Sequence, residues 1–259
     1  MPKLLILFLS FYAGAIVGSF LNVVIYRVPR NISIRKPRSF CPHCQHPIRF
    51  YDNLPIFSYL ILRGHCRYCL SRISPRYLWV ELTSGLVWLL VIAIPGLNVT
   101  TIGGIILLEG LLCLAWIDYR WGYIPDNILL TLAFSGSLFY LLFDQQQFLW
   151  GVSGALVAGS IMLGWAYLGK EMFHQTAIGG GDIKLASVIG LFLGTRITLL
   201  CLFLSFCLGG IYGLTQIYRK RLQPKATLPL APFIFIAAWL SILVGEQFVS
   251  WYLSLAGGH

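Results

Sequence analysis

The stretch LLILFLSFYAGAIVGSFLNVVIY, Leu4 to Tyr26, carries no charged side chain, and Arg27-Val-Pro-Arg30 follows it at once. It exceeds the ~20 apolar residues that a helix needs to cross a bilayer. It also lacks the small-residue cleavage site of a secretory signal, so the sequence predicts a retained membrane helix. The rest of the chain agrees. Of 259 residues, 58% are hydrophobic and 11% charged, with mean hydropathy +0.77. A soluble domain carries about 25% charged residues. Further apolar runs occupy 78–95, 101–117, 128–143, 148–169, 183–195, 197–218 and 229–255. The expected fold is an all-α polytopic membrane protein with eight spans. Its expected parts are a first helix (1–26), a cytoplasmic loop (27–77) and a membrane-embedded remainder (78–259).

The net charge of +10 would suggest nucleic acid on a soluble protein. Here the basic residues read as topology signals, and no nucleic-acid partner is expected beside the lipid bilayer. Arg27, Arg30, Arg35, Lys36, Arg38, Arg49, Arg63, Arg67, Arg72 and Arg76 face the single acid Asp52 within the first polar segment. Cationic loops stay in the cytoplasm, so the N-terminus is expected outside. Counting spans puts Arg120, Lys170, Lys184, Arg219, Lys220, Arg221 and Lys225 on the cytoplasmic side too; only Lys3 and Arg196 fall outside. The run 183–195 is short for a span, yet without it the last basic cluster would face the wrong side. Gly151, Gly154, Ala155, Ala158 and Gly159 form a small-residue stripe, which reads as helix packing.

Within the basic loop, Cys41-Pro-His-Cys44 and Cys66-Arg-Tyr-Cys69 form two CxxC turns. Four thiolates suit a closed tetrahedral Zn²⁺ site, and a small loop without its own apolar core gains folding energy from the metal. A reducing cytosol disfavours disulfides. His43, His46 and His65 are further available ligands. Cys113, Cys201 and Cys207 lie in spans and read as packing residues.

Ionisable groups beside spans are costly and point to function. Asp118 begins the turn Asp118-Tyr-Arg-Trp-Gly-Tyr-Ile-Pro-Asp126, and Ile178-Gly-Gly-Gly-Asp182-Ile-Lys184 joins two later spans. Parity puts Asp118, Asp126 and Asp182 at one membrane level, where two carboxylates sharing a proton can activate water and protonate a leaving amine. Asp126 or Asp182 can instead cap a helix, and Asp144 reads as a solvated turn residue on the opposite side. Glu109 lies too deep to join Asp118. Glu81 can pair with Arg76 or serve a site, and the sequence does not decide between them.

The pattern resembles the type IV prepilin peptidases, bifunctional leader peptidase/N-methyltransferases of the GxGD aspartic class. Gly18-Ser-Phe-Leu-Asn-Val-Val-Ile-Tyr-Arg-Val-Pro29 is similar to the family's opening helix, and Asp52-Asn-Leu-Pro55 with Leu62-Arg-Gly-His-Cys66 to its cysteine loop. The resemblance implies Asp118 and Asp182 as the catalytic pair, with Gly179, Gly181, Lys184 and Asp126 supporting. It further implies prepilin or pseudopilin substrates, an inner-membrane location, and methylation of the new N-terminus by S-adenosylmethionine. Asp52 stands where many members have Glu, and Leu228-Pro-Leu-Ala-Pro232 lacks the glycine expected in the last motif. A scaffold or transporter with a zinc hook is the competing reading. A transporter would bury charge near the midplane, whereas here the aspartates gather at one face.

Overall fold

The computed structural model describes residues 2–36, 38–173, 179–220 and 228–255; Ile178, Arg221 and Lys225 lie outside the described residues. Helices dominate, and among the described residues there is no strand, only the isolated bridges Phe40 to Pro47 and His65 to Arg72. The chain divides into two compact units, Met1–Ile94 and Pro95–His259.

The first unit holds α1 (Pro2–Arg27), the short α2 (Phe57–Ile61) and α3 (Arg76–Ala93). Helices α1 and α3 pack antiparallel. The Ser84 hydroxyl donates to the Gly14 carbonyl at 2.6 Å, and the Asn22 amide donates to that of Tyr77 at 3.0 Å. Such bonds offset part of the cost of placing polar side chains in apolar helices.

The second unit holds α4 (Val99–Trp121), α5 (Asp126–Phe143), α6 (Gln145–Phe173), α7 (Gly180–Tyr218) and α8 (Ala231–Leu255). Helix α4 is its centre: Leu107, Leu108, Leu111, Leu114 and Ile117 are fully buried. Asn98 and Thr101 start it with reciprocal bonds of 2.8 Å, a capping box that satisfies two orphan N–H groups.

Among the described residues seven helices are long and apolar enough to cross a membrane. The 39 residues of α7 would extend ~58 Å if straight, nearly twice a ~30 Å hydrocarbon core. They do not run straight. Gly194 adopts φ 68° and ψ 174°, a non-helical conformation open essentially to glycine alone. Leu202 packs in one cluster with Ala186, Ala158 and Met162, so the chain doubles back at Gly194. The two arms are the runs 183–195 and 197–218. The expected eight crossings are seven continuous helices, one of them folded into two.

The reversal leaves helical carbonyls without partners, and neighbours take them up. The Tyr140 hydroxyl and the Gln147 amide both donate to the Phe192 carbonyl, at 3.3 and 3.1 Å, while Thr198 donates to that of Gly194 at 2.6 Å. At membrane depth such pairing is obligatory. The small-residue stripe does pack: a Cβ on Gly151, Gly154 or Gly190 would collide with the backbone of the facing helix.

Candidate active site and metal centre

Asp118 lies in the last turn of α4, which Gly122 ends in the left-handed conformation (φ 66°) with its N–H on the Asp118 carbonyl. The buried Asp118 side chain accepts the Ala231 N–H, the first of α8, at 3.1 Å through Oδ2. Asp182 lies in the first turn of α7, whose N-cap is Gly179, and its Oδ2 accepts the Gly179 N–H at 3.3 Å. Asp182 is therefore not the N-cap; it reaches back to the capping residue. The two carboxylates are near enough to act on each other electrostatically. Gly181 packs against the α4–α5 turn, where a Cβ would fall 3.1 Å from that of Ile124. Glycine here lets the first turn of α7 approach the turn that follows Asp118.

Asp126 corrects the sequence reading. It is the first residue of α5, but the N-cap is Pro125 and no side chain caps that helix. Its carboxylate instead pairs with Lys184 at 2.8 and 2.9 Å. Asp144 also has a structural task, since its Oδ1 accepts the Gln147 N–H at 2.9 Å and opens α6. Glu109 is buried within α4.

The donor from Ala231 was missed in the sequence. Backbone groups carry no sequence signature, although Pro229 and Pro232 mark where α8 begins. The sequence does not decide the role of Glu81; in the structure it accepts the Ile56 N–H at 2.8 Å. Ile56 holds φ 65°, an outlier for a β-branched residue.

Cys41, Cys44, Cys66 and Cys69 converge, their sulfurs all within 4.8 Å of one another. Cys41 and Cys69 are 3.8 Å apart, the edge expected of a tetrahedron with Zn–S bonds of ~2.3 Å. The two turns are built alike. Cys41 N–H donates to the His46 carbonyl and Gln45 N–H to that of Cys41; Cys66 and Leu70 repeat this with Ser71 and Cys66. Gln45 and Leu70 share the left-handed conformation, φ 57° and 56°. Each bridge, Phe40 to Pro47 and His65 to Arg72, closes one turn.

The Ser71 hydroxyl and backbone hold the Cys69 thiol down to about 6. Against the lowering pull of the His46 backbone, desolvation and the adjoining thiols push Cys44 up to about 11. Four crowded thiols cannot all ionise unaided, and a divalent cation removes that conflict. The donor set fits zinc. The histidines stand outside it: His46 stacks on Tyr68 at 3.7 Å and His65 Nδ1 meets the Arg63 carbonyl at 2.8 Å. Asp52 takes Arg67 in a two-pronged pair, at 2.6 and 3.0 Å, tying the linker to the second turn. Cys113 and Cys201 are buried, whereas Cys207 is exposed.

Residues 12–94 match the Bacterial Peptidase A24 N-terminal domain and residues 105–214 match the Type IV leader peptidase family. Together with the apolar helices, these matches define a polytopic membrane peptidase of the aspartic class. A protein of Aeromonas salmonicida named prepilin leader peptidase/N-methyltransferase is 32% identical over 273 residues, covering 95% of this chain and 93% of that protein. Relatives of the same name from Neisseria gonorrhoeae (32%; 93% and 92% covered) and Pseudomonas aeruginosa (31%; 94% and 92%) match equally broadly. The chain belongs to the type IV prepilin peptidase family, and it is a multi-pass protein of the bacterial inner membrane. No solved structure matches significantly.

Proposed function

We propose that the protein cleaves the leader of type IV prepilins or pseudopilins at the cytoplasmic membrane face, using Asp118 and Asp182, and N-methylates the new terminus. The observation that carries the reading is that two carboxylates from separate helices lie within electrostatic range of each other, each fixed through one oxygen by a backbone N–H. Among the described residues neither Oδ1 has a partner, which leaves two free oxygens for water and substrate. One carboxylate, ionised, takes a proton from water as it attacks the scissile carbonyl. The other, protonated, delivers its proton to the departing amide nitrogen. Lys184 holds Asp126 in an ion pair, which fits a supporting role for both.

The cytoplasmic orientation draws on charge. Arg120 and Lys184 lie at the helix ends that carry Asp118 and Asp182. Lys170 lies in the last turn of α6, Arg219 and Lys220 follow α7, and Arg196 sits at the α7 reversal. That bias follows the rule for cytoplasmic loops.

Zinc on Cys41, Cys44, Cys66 and Cys69 supplies folding energy in this scheme; four thiolates leave no open position for a reacting water. Methylation rests on the relatives' names, with S-adenosylmethionine as the donor. A cleft in the first unit is lined by Arg27, Arg35 and Arg38 and by no carboxylate, the wrong sign for a sulfonium cation. No step is assigned there.

The test is to mix the purified, zinc-loaded protein with a prepilin and weigh the product. Loss of the leader mass supports the peptidase reading, and an unchanged prepilin contradicts it. Gain of one methyl mass, dependent on added S-adenosylmethionine, tests the second activity in the same spectrum.

A further inference from the structure

A cleft of about 500 Å³ runs along α1 within the first unit. One wall is a stripe of that helix, Tyr12, Ile16, Phe20 and Val23, spaced three or four residues apart so that the side chains share one face. The stripe extends ~16 Å along the axis, about the depth of one leaflet of a ~30 Å hydrocarbon core. Ile16 and Phe20 are 52% and 56% exposed. The opposite wall is Leu54 and Pro55, which the Glu81 bond to Ile56 holds against the helix pair. Phe57 follows them and meets the Tyr12 ring at 6.1 Å. Part of the polar loop therefore descends alongside α1 instead of standing clear of the membrane.

The mouth of the cleft is cationic. Arg27 is buried, and its guanidinium donates to the carbonyls of Ser33, Ile34 and Arg38 at 2.9, 3.2 and 3.3 Å. It thereby holds Ser33, Ile34 and Arg38 over the end of α1. Arg35 and Arg38, carried on that strap, are exposed and line the mouth. Among the described residues no carboxylate pairs with either: Asp52 is taken by Arg67, and Glu81 accepts the Ile56 N–H. An apolar trough one leaflet deep, ending in two free guanidinium groups, matches an amphiphile with an anionic head.

We propose that this cleft binds one anionic glycerophospholipid, its phosphate between Arg35 and Arg38 and an acyl chain along Tyr12, Ile16, Phe20 and Val23. Charge selects the head, because guanidinium engages phosphate through paired N–H donors. The trough selects a lipid over a water-soluble phosphate. The strap held by Arg27 and the wall held by Glu81 shape the site before the lipid arrives.

The experiment is native mass spectrometry of the full-length, zinc-loaded protein released from nanodiscs containing equal phosphatidylglycerol and phosphatidylcholine. One retained phosphatidylglycerol per chain is expected, with phosphatidylcholine lost. At about fivefold per surface arginine, the Arg35→Gln/Arg38→Gln double variant should retain roughly 30-fold less. Val23→Trp, which fills the trough and leaves both arginines in place, should also lose the lipid. Zinc content checks that each variant is folded. Equal retention of both lipids, or unchanged phosphatidylglycerol in either folded variant, overturns the proposal. So does displacement of the lipid by soluble glycerophosphate, which would mark a small-anion site.

Discussion

Replacing Gly194 with alanine isolates the backbone conformation that turns α7 back on itself. The nearest atom to a new Cβ there is Trp150 Cβ at 3.7 Å, an ordinary contact, so added bulk contributes little. The cost lies in φ 68° and ψ 174°, a region that costs a non-glycine residue of order 1–3 kcal/mol. At about 2–4 °C per kcal/mol for a unit of this size, the expected fall in Tm is roughly 2–12 °C. Gly164→Ala provides the control: that helical position has open space, and alanine is favoured over glycine by up to about 1 kcal/mol. Its Tm should hold or rise. The assay is thermal unfolding of the zinc-loaded protein in one detergent, followed by tryptophan fluorescence. A Gly194→Ala variant as stable as wild type would refute the reversal as described, because a straight helix gains from the same change.

Three further outcomes are expected. Metal analysis should find one zinc per chain; replacing Cys41 and Cys44 with serine should abolish it and lower yield, and acidification should release the metal because its ligands must be thiolates. Asp126→Asn should keep cleavage within about fivefold of wild type, since Asp126 and Lys184 are 57% and 58% exposed and such pairs contribute about 0–1 kcal/mol; this is read from initial rates of leader loss. Reporter fusions at Leu97 and Lys220 should lie outside and inside respectively, and two fusions on one side would overturn the eight-crossing count.

Charge-free runs and CxxC spacing made the helices and the zinc loop legible, because both depend on local composition. The reversal at Gly194 falls two residues from the gap between the runs 183–195 and 197–218, but the first run is short for a span, and only the parity of the basic residues required a crossing there. The likeness of the two cysteine turns was hidden. It lives in backbone conformation at Gln45 and Leu70, residues with nothing chemical in common. Local rules favour Asp126 as a cap, yet its partner Lys184 is 58 residues away. The donors from Ala231 and Gly179 are backbone groups, which no residue-type pattern reveals. The wall of the cleft depends on Glu81 meeting Ile56, a contact between segments 25 residues apart.

The central claim is that Asp118 and Asp182 act as one unit, and a double-mutant comparison tests it most directly. Leader cleavage of a purified prepilin is measured by mass for Asp118→Asn, Asp182→Asn and the double variant, with zinc content and Tm recorded for each. Each single change is expected to abolish cleavage in an intact, zinc-loaded protein, and the double change to be no worse, as for residues sharing one step. Sustained cleavage by Asp118→Asn together with an inactive Asp126→Asn would contradict the claim and give Asp126 the place assigned to Asp118.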